Sequence, residues 1–445
     1  MRRSAESDKQ VTAMTVGELK RELGAGALDG ALAALYSDLP AARCRAISAA
    51  EEWQRIFGRG EESPVFLVSA PGRTELGGNH TDHQRGRVLC AAVDLDALAC
   101  AGPNGRAEIR AYSRGYGMAC VDLARLEPTA DERGTSQALI RGVAAGMAEH
   151  GCPVKGLDLY VDSQVPAGSG LSSSAAYEIL LGTAMNALFG GGLDSVTLAK
   201  IGQRAENAFF GKPCGLLDQT ACAVGGAAAV DFADPAQPAV EPLDFDFSAC
   251  GYDLCIVDTD STHADLTDAY AAIPAEMGAV AACFGKTALR EVDEEDFLAA
   301  LPALRKAAGD RAVLRAMHFF EENRRAGEQA EALKRGDFRA FLSLVNESGR
   351  SSWCKLQNIS AGDPRQQAVA LSLARGQQLL AGEGTIRVHG GGFAGTVQAF
   401  VPHEQLERFR TGMEALLGAG ACRVLRIRPR GGCVIVGKEG INHAG

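Results

Sequence analysis

Val165-Pro-Ala-Gly-Ser-Gly-Leu-Ser-Ser-Ser-Ala-Ala176 follows a strand-like run at 157–161 and opens an apolar stretch of helical spacing that reaches Phe189. Gly168 and Gly170 let the backbone turn tightly and approach a ligand with no Cβ in the way. Ser172, Ser173 and Ser174 are expected in the first helical turn, where amide N–H groups have no partner within the helix. Two readings of that turn are open. The serines are ordinary N-caps behind a glycine turn, or the free amides and the helix dipole receive a phosphate, with the hydroxyls donating to its oxygens or holding Mg²⁺. The segment is neither GxxxxGK[ST] nor GxGxxG, and it contains no lysine.

Outward from this loop the chain mixes strands and helices. Apolar, β-branched runs at 65–68, 88–100, 107–112 and 157–161 read as strands, and 137–150, 172–189 and 193–210 as helices. Beyond about residue 245 the pattern becomes strand, long helices and strand. Helices are expected over 265–283, 294–306, 312–345, 366–380 and 404–417, with strands at 385–389, 396–401 and near 423–427. Because βαβ alternation is not strict, the fold class is α+β. A chain of 445 residues exceeds what one core supports, so two domains are expected at 63–245 and 246–445, behind a helical extension at 1–62.

A formal charge of -10 offers no general attraction for nucleic acid or an anionic membrane. An anionic ligand must then be held by local amides, a metal or a few basic side chains. The 13 cysteines are an odd number, scattered through apolar runs without a CxxC pair, which fits unpaired thiols in a reducing compartment. No run of about 20 apolar residues occurs. A cytoplasmic location is expected, with no obligate protein partner implied.

Three further segments give the loop a context: Ala70-Pro-Gly-Arg-Thr-Glu-Leu-Gly-Gly-Asn-His-Thr-Asp82, Ala205-Glu-Asn-Ala-Phe-Phe-Gly-Lys-Pro-Cys-Gly-Leu-Leu-Asp-Gln219 and Val388-His-Gly-Gly-Gly-Phe-Ala-Gly395. In this order the four segments resemble the motifs of the GHMP kinase superfamily. The first and the Cys214–Asp218 segment resemble the galactokinases in particular. Weaker matches are His263 with Tyr270, and Asn346-Glu-Ser-Gly349 followed by Ser351-Ser-Trp353. The resemblance runs from about residue 65 onward. It implies a two-domain GHMP kinase fold with the active site between the domains, and an ATP- and Mg²⁺-dependent kinase that phosphorylates the anomeric hydroxyl of galactose or a related aldose.

By matching position, the resemblance implies Asp218 as catalytic base and Arg73 as its charge partner. Gly168, Ser169, Gly170, Ser172, Ser173 and Ser174 would hold the triphosphate. Ser174 and Glu206, with Ser173 beside them, would supply oxygens to Mg²⁺. Asn79, His80, Asp82, Gly215 and Tyr270 would face the sugar. His83, His150 and His318 receive no role. The chain departs from the galactokinase pattern in places. Asn79 stands where glutamate is usual and Glu75 where asparagine is usual. Thr262 stands where several galactokinases have arginine, and Ala394 replaces a glycine. The Asn79 departure leaves the sugar open. A sugar- and ATP-binding sensor without activity, or a relative acting on mevalonate or homoserine, are the alternatives. The intact serine loop opposes the first, and the His80-Thr-Asp82 loop opposes the others.

Overall fold

The computed structural model describes residues 13–166, 170–247, 249–259, 266–360 and 362–436. Gly168, Ser169, Thr262 and His263 lie outside the described residues.

Among the described residues nine strands form one sheet and four form a second. In the larger sheet, Pro64–Gly77 pairs antiparallel with Arg87–Pro103, which pairs antiparallel with Leu157–Ser163. Glu108–Ser113 lies parallel to Leu157–Ser163, the one parallel pairing in the sheet as described. Alternation along 65–70 explains why this strand reads as an unbroken apolar run. Phe66, Val68 and Ala70 join the main core, while Val65 and Leu67 join a second cluster on the opposite face. Both faces are covered, so neither needs polar residues.

The opposite face is covered by the N-terminal helices Val16–Ala25, Asp29–Ala33 and Leu39–Phe57. The main core is closed by Ser136–Glu149, Ser173–Phe189, Ser195–Arg204 and Leu217–Val224. Of these, Ser173–Phe189 is apolar on every side and buried over most of its length, as its sequence requires.

The smaller sheet runs Thr385–Val388, Thr396–Pro402, Tyr252–Asp258, Cys422–Leu425, all antiparallel. Helices Ala368–Leu380 and Leu406–Leu417 cover one face. Phe338–Ser351 meets the other, where Phe341 and Phe400 join the main core.

Two elements differ from the sequence reading. The strand expected at 65–68 continues to Gly77 through Pro71 and Gly72, because register shifts after Pro71 and after Glu75 absorb the irregular residues. The helix expected over 193–210 ends at Arg204 and passes into a π-helical turn, Ala205–Phe210. The last strand among the described residues, Cys433–Val436, returns to pair with Pro64–Gly77.

Candidate active site

The two shifts in strand Pro64–Gly77 bracket Arg73 and Glu75, re-aiming both side chains. Gly72 makes the first shift possible, since a Cβ there would lie 2.9 Å from the Leu171 carbonyl oxygen. The strand is thereby brought against the serine loop, and Arg73 N–H donates to that carbonyl at 3.1 Å.

Arg73 then reaches across the loop. Its Nε donates to Asp218 Oδ1 at 2.6 Å and its Nη1 donates to the Gly170 carbonyl. Ser172 Oγ donates to the other Asp218 oxygen. The loop and the carboxylate, 46 residues apart in sequence, are therefore in direct contact. Burial alone would raise the Asp218 pKa. The Arg73 charge, with hydrogen bonds from Arg73 and Ser172, outweighs it and holds the group below the ordinary aspartate value. Its side chain keeps 27% exposure, enough for one edge to meet a substrate.

Ser172 does not behave as an ordinary N-cap. It precedes the helix instead of lying within it, with left-handed φ 59° and no side-chain capping bond. Such a conformation is strained for a non-glycine residue. Here it turns the hydroxyl onto Asp218. The first-turn amides, starting at Ser173, are left uncapped by the Ser172 side chain.

The π-helical turn presents Glu206, which is almost wholly buried. Its Oε1 accepts from Ser174 Oγ at 2.8 Å and from Lys212 Nζ at 3.0 Å. Its Oε2 accepts from Gln219 Nε2 at 2.9 Å, and the same amide donates to Glu178 Oε2 at 3.0 Å. Burial, then the neighbouring Glu206 charge, pushes Glu178 well above the usual carboxylate range. The oxygens of Ser174 and Glu206 suit a hard cation. No group of three or more His, Cys, Asp or Glu able to hold a metal exists among the described residues, so a cation here would share ligands with phosphate or water.

Toward the second sheet, His80 (φ 60°) places Nε2 at 3.0 Å from the Gly391 carbonyl. A carbonyl only accepts, so Nε2 carries the proton and Nδ1 is left as an acceptor. Burial, then the neighbouring His83, lowers the His80 pKa to about 3, and the ring is neutral. Asp82 lies against Gly215, where a Cβ would stand 1.7 Å from its Oδ2. Tyr270 OH donates to the Gly392 carbonyl at 2.6 Å, and its ring meets Phe393 edge-on at 5.4 Å.

Asn79 is placed differently from these. It is fully buried and hydrogen-bonded on both ends of its amide. Nδ2 donates to Glu75 and to the Gly390 carbonyl at 2.7 Å; Oδ1 accepts from Asn358 at 3.0 Å and Ser352 at 3.3 Å. Glu75 in turn accepts from Arg387 Nη2 at 3.0 Å, a contact that joins the two sheets. Burial pushes Glu75 up to about 7, against the pull of Arg387 and Arg73.

Lys212, Gln219, Glu178, Arg387 and His318 are members of this site or its support that the sequence reading did not assign. His318, given no role from sequence, bridges the Asn79 carbonyl at 2.9 Å and Ser351 Oγ at 2.8 Å. The Ser351-Ser-Trp353 match was the signal for that region. For Glu178 only its place one helical turn beyond the serines pointed to the site.

Comparison with known proteins follows the same outline. Residues 51–103 match the galactokinase galactose-binding signature, and residues 138–226 match the GHMP kinases N-terminal domain. A galactokinase from Streptomyces coelicolor is 32% identical over 379 residues, spanning 85% of this chain and 94% of that protein. One from Glaesserella parasuis is 30% identical over 363 residues, spanning 81% and 90%. The crystal structure of Lactococcus lactis galactokinase complexed with galactose superposes with a TM-score of 0.73 at 25% identity, covering 86% of this chain and 97% of that one. A mevalonate kinase structure, TM-score 0.58 at 16% identity, shares the fold. With its serine loop, its Arg73–Asp218 pair and these matches in register, the chain belongs to the galactokinase family of the GHMP kinases.

Proposed function

We propose that the chain is an ATP-dependent sugar kinase that transfers the γ-phosphoryl group of ATP to the anomeric hydroxyl of galactose or a related aldose. One observation carries the reading: Asp218 is held by Arg73 and Ser172 at the mouth of a helix whose first-turn amides Ser172 leaves uncapped. The relatives named galactokinase, and the Lactococcus lactis structure containing galactose, support the sugar class.

The triphosphate would lie on the amides and hydroxyls at 168–174, its charge met by the helix N-terminus. Ser174 and Glu206 would hold Mg²⁺, which when bound neutralises phosphate charge. Asp82, His80 Nδ1, Tyr270 and the bare backbone at Gly215 would receive the sugar, with Asn79 fixing the loop that carries His80. Asp218, kept ionised by Arg73, would align the anomeric hydroxyl. A carboxylate with so low a pKa is a weak base, so it would take the proton only as the new oxygen–phosphorus bond forms and the bond to ADP breaks. The free thiols and the absence, among the described residues, of a helix long and apolar enough to cross a membrane support work in the cytoplasm. The larger sheet with its N-terminal helices and the smaller sheet would act as two lobes about the cleft.

The test is ADP release from ATP, Mg²⁺ and a panel of aldoses that includes galactose. At least one sugar should be turned over, and Asp218→Asn, which leaves buried Arg73 without its charge partner and is assayed below its own lowered melting temperature, should lower kcat by about 10³-fold. ADP release from no aldose, or release undiminished in the variant, rules the reading out.

A further inference from the structure

The serine loop contains no lysine, yet a lysine stands at it. The π-helical turn Ala205–Phe210 ends at Gly211, whose φ of 88° reverses the chain. Both the Gly211 and Lys212 amides then donate to the Glu206 carbonyl, at 2.9 Å and 3.1 Å. This double contact fixes the Lys212 backbone within one turn of Glu206. The side chain folds back, and its ammonium binds the same Glu206 oxygen that Ser174 binds from the first turn of the helix. The motif resemblance leaves position 212 open, so the lysine is a feature of this chain and not of the family pattern.

We propose that Lys212 is a phosphate-contacting residue of the kinase site, placing its ammonium on the terminal phosphates of the bound nucleotide. This rests on the kinase reading above. An ammonium has three donors. Among the described residues Glu206 takes one, and the side chain keeps 61% exposure. Charge makes the same demand. Arg73 is already paired with Asp218 and with the Gly170 carbonyl. Even with Mg²⁺ bound, a triphosphate beside the Asp218 and Glu206 carboxylates would leave excess negative charge that a further cation offsets. A lysine serves as a compact point charge for phosphate without needing bidentate geometry.

The competing role is that Lys212 only orients Glu206. The two separate by ligand. Calorimetric affinities for ATP, ADP and AMP should be measured without sugar, with Mg²⁺ and again in chelator, for wild type, Lys212→Met and Lys212→Arg. Below the melting temperature of each variant, Lys212→Met should weaken ATP and ADP about tenfold in both conditions and leave AMP within twofold. Lys212→Arg should recover most of the loss. Unchanged ATP and ADP affinities overturn the proposal. So does a loss that appears only with Mg²⁺, which would mark Lys212 as a positioning residue for Glu206, or an equal loss for AMP. A wild-type chain that turns over sugars and fails only this comparison leaves the kinase reading standing. One that binds neither ATP nor ADP removes both.

Discussion

Asn79 and Glu75 stand where the galactokinase pattern has glutamate and asparagine, and the structure shows why one departure accompanies the other. The two side chains touch, at 3.1 Å and 3.3 Å, and both are buried. Glu75 satisfies Arg387, and Asn79 gives Glu75 a neutral donor in place of a second carboxylate. Restoring glutamate alone, in Asn79→Glu, would set two carboxylates together and remove the donor to Gly390. Its expected cost is about 3–5 kcal/mol. Glu75→Asn alone leaves Arg387 buried without its charge partner and should cost a similar amount. Making both changes exchanges the pair, so their combined cost should fall short of the sum by about 1–3 kcal/mol. Urea unfolding of the two single variants and the double variant measures this. Strict additivity would show that the two positions do not compensate.

At the scale of elements, what could be read from the chain depended on whether a segment carried its own signal. Helix Ser173–Phe189 and strand Arg87–Pro103 were legible because their apolar residues are continuous and their ends are marked by glycine or proline. Strand Ala227–Asp231 was not, since Ala-Ala-Ala-Val-Asp has little strand preference and becomes a strand by pairing with Arg87–Pro103. Residues in the site divide the same way. Arg73, Asp218 and Ser172 lie in recognisable motifs, whereas Lys212 and Glu178 join the site through a π-helical turn and a shared glutamine amide that no periodicity reveals. Gly215 was legible as a motif position, and only the structure gives its reason: Asp82 occupies the volume a Cβ would need. Gly215→Ala must therefore displace the Asp82 carboxylate. Displacements of about 1 Å near reacting groups can cost about 10²-fold, so steady-state kcat/KM for the sugar should fall by that order while nucleotide affinity stays within about threefold. A sugar kcat/KM equal to wild type would mean that Asp82 does not hold the substrate.

For the whole molecule, the N-terminal helices are bound to the larger sheet by more than apolar contact. Asp96, fully buried, accepts at 2.5 Å each from Tyr36, in the link between two of those helices, and from Arg45 of Leu39–Phe57, and at 3.2 Å from Arg428 of the C-terminal segment. Burial would raise its pKa, but Arg45 and Arg428 outweigh that and hold it low. Trp53, also fully buried, donates from Nε1 to the Asp158 carbonyl at 3.0 Å, and its ring lies over Gly102, where a Cβ would come within 2.8 Å. The N-terminal helices and the described C-terminal residues 428–436 thus meet over one sheet face. Removing residues 1–60 would strip Asp96 of Arg45 and Tyr36, strip Asp158 of Arg59, and expose Leu67, Leu98, Cys100 and Tyr160 together. An apolar face of that kind is a site of association. The truncated chain should be recovered as aggregate in size-exclusion chromatography. Because a large deletion can fail for many reasons, Trp53→Ala isolates the contact. It removes one buried aromatic and one hydrogen bond far from the kinase site, and should cost about 3–5 kcal/mol of stability. Below its lowered melting temperature, its kcat should match wild type. A truncated chain that stays monomeric and melts like the full one, or a Trp53→Ala variant that melts like wild type, would show that the helices are an appendage and not part of the core.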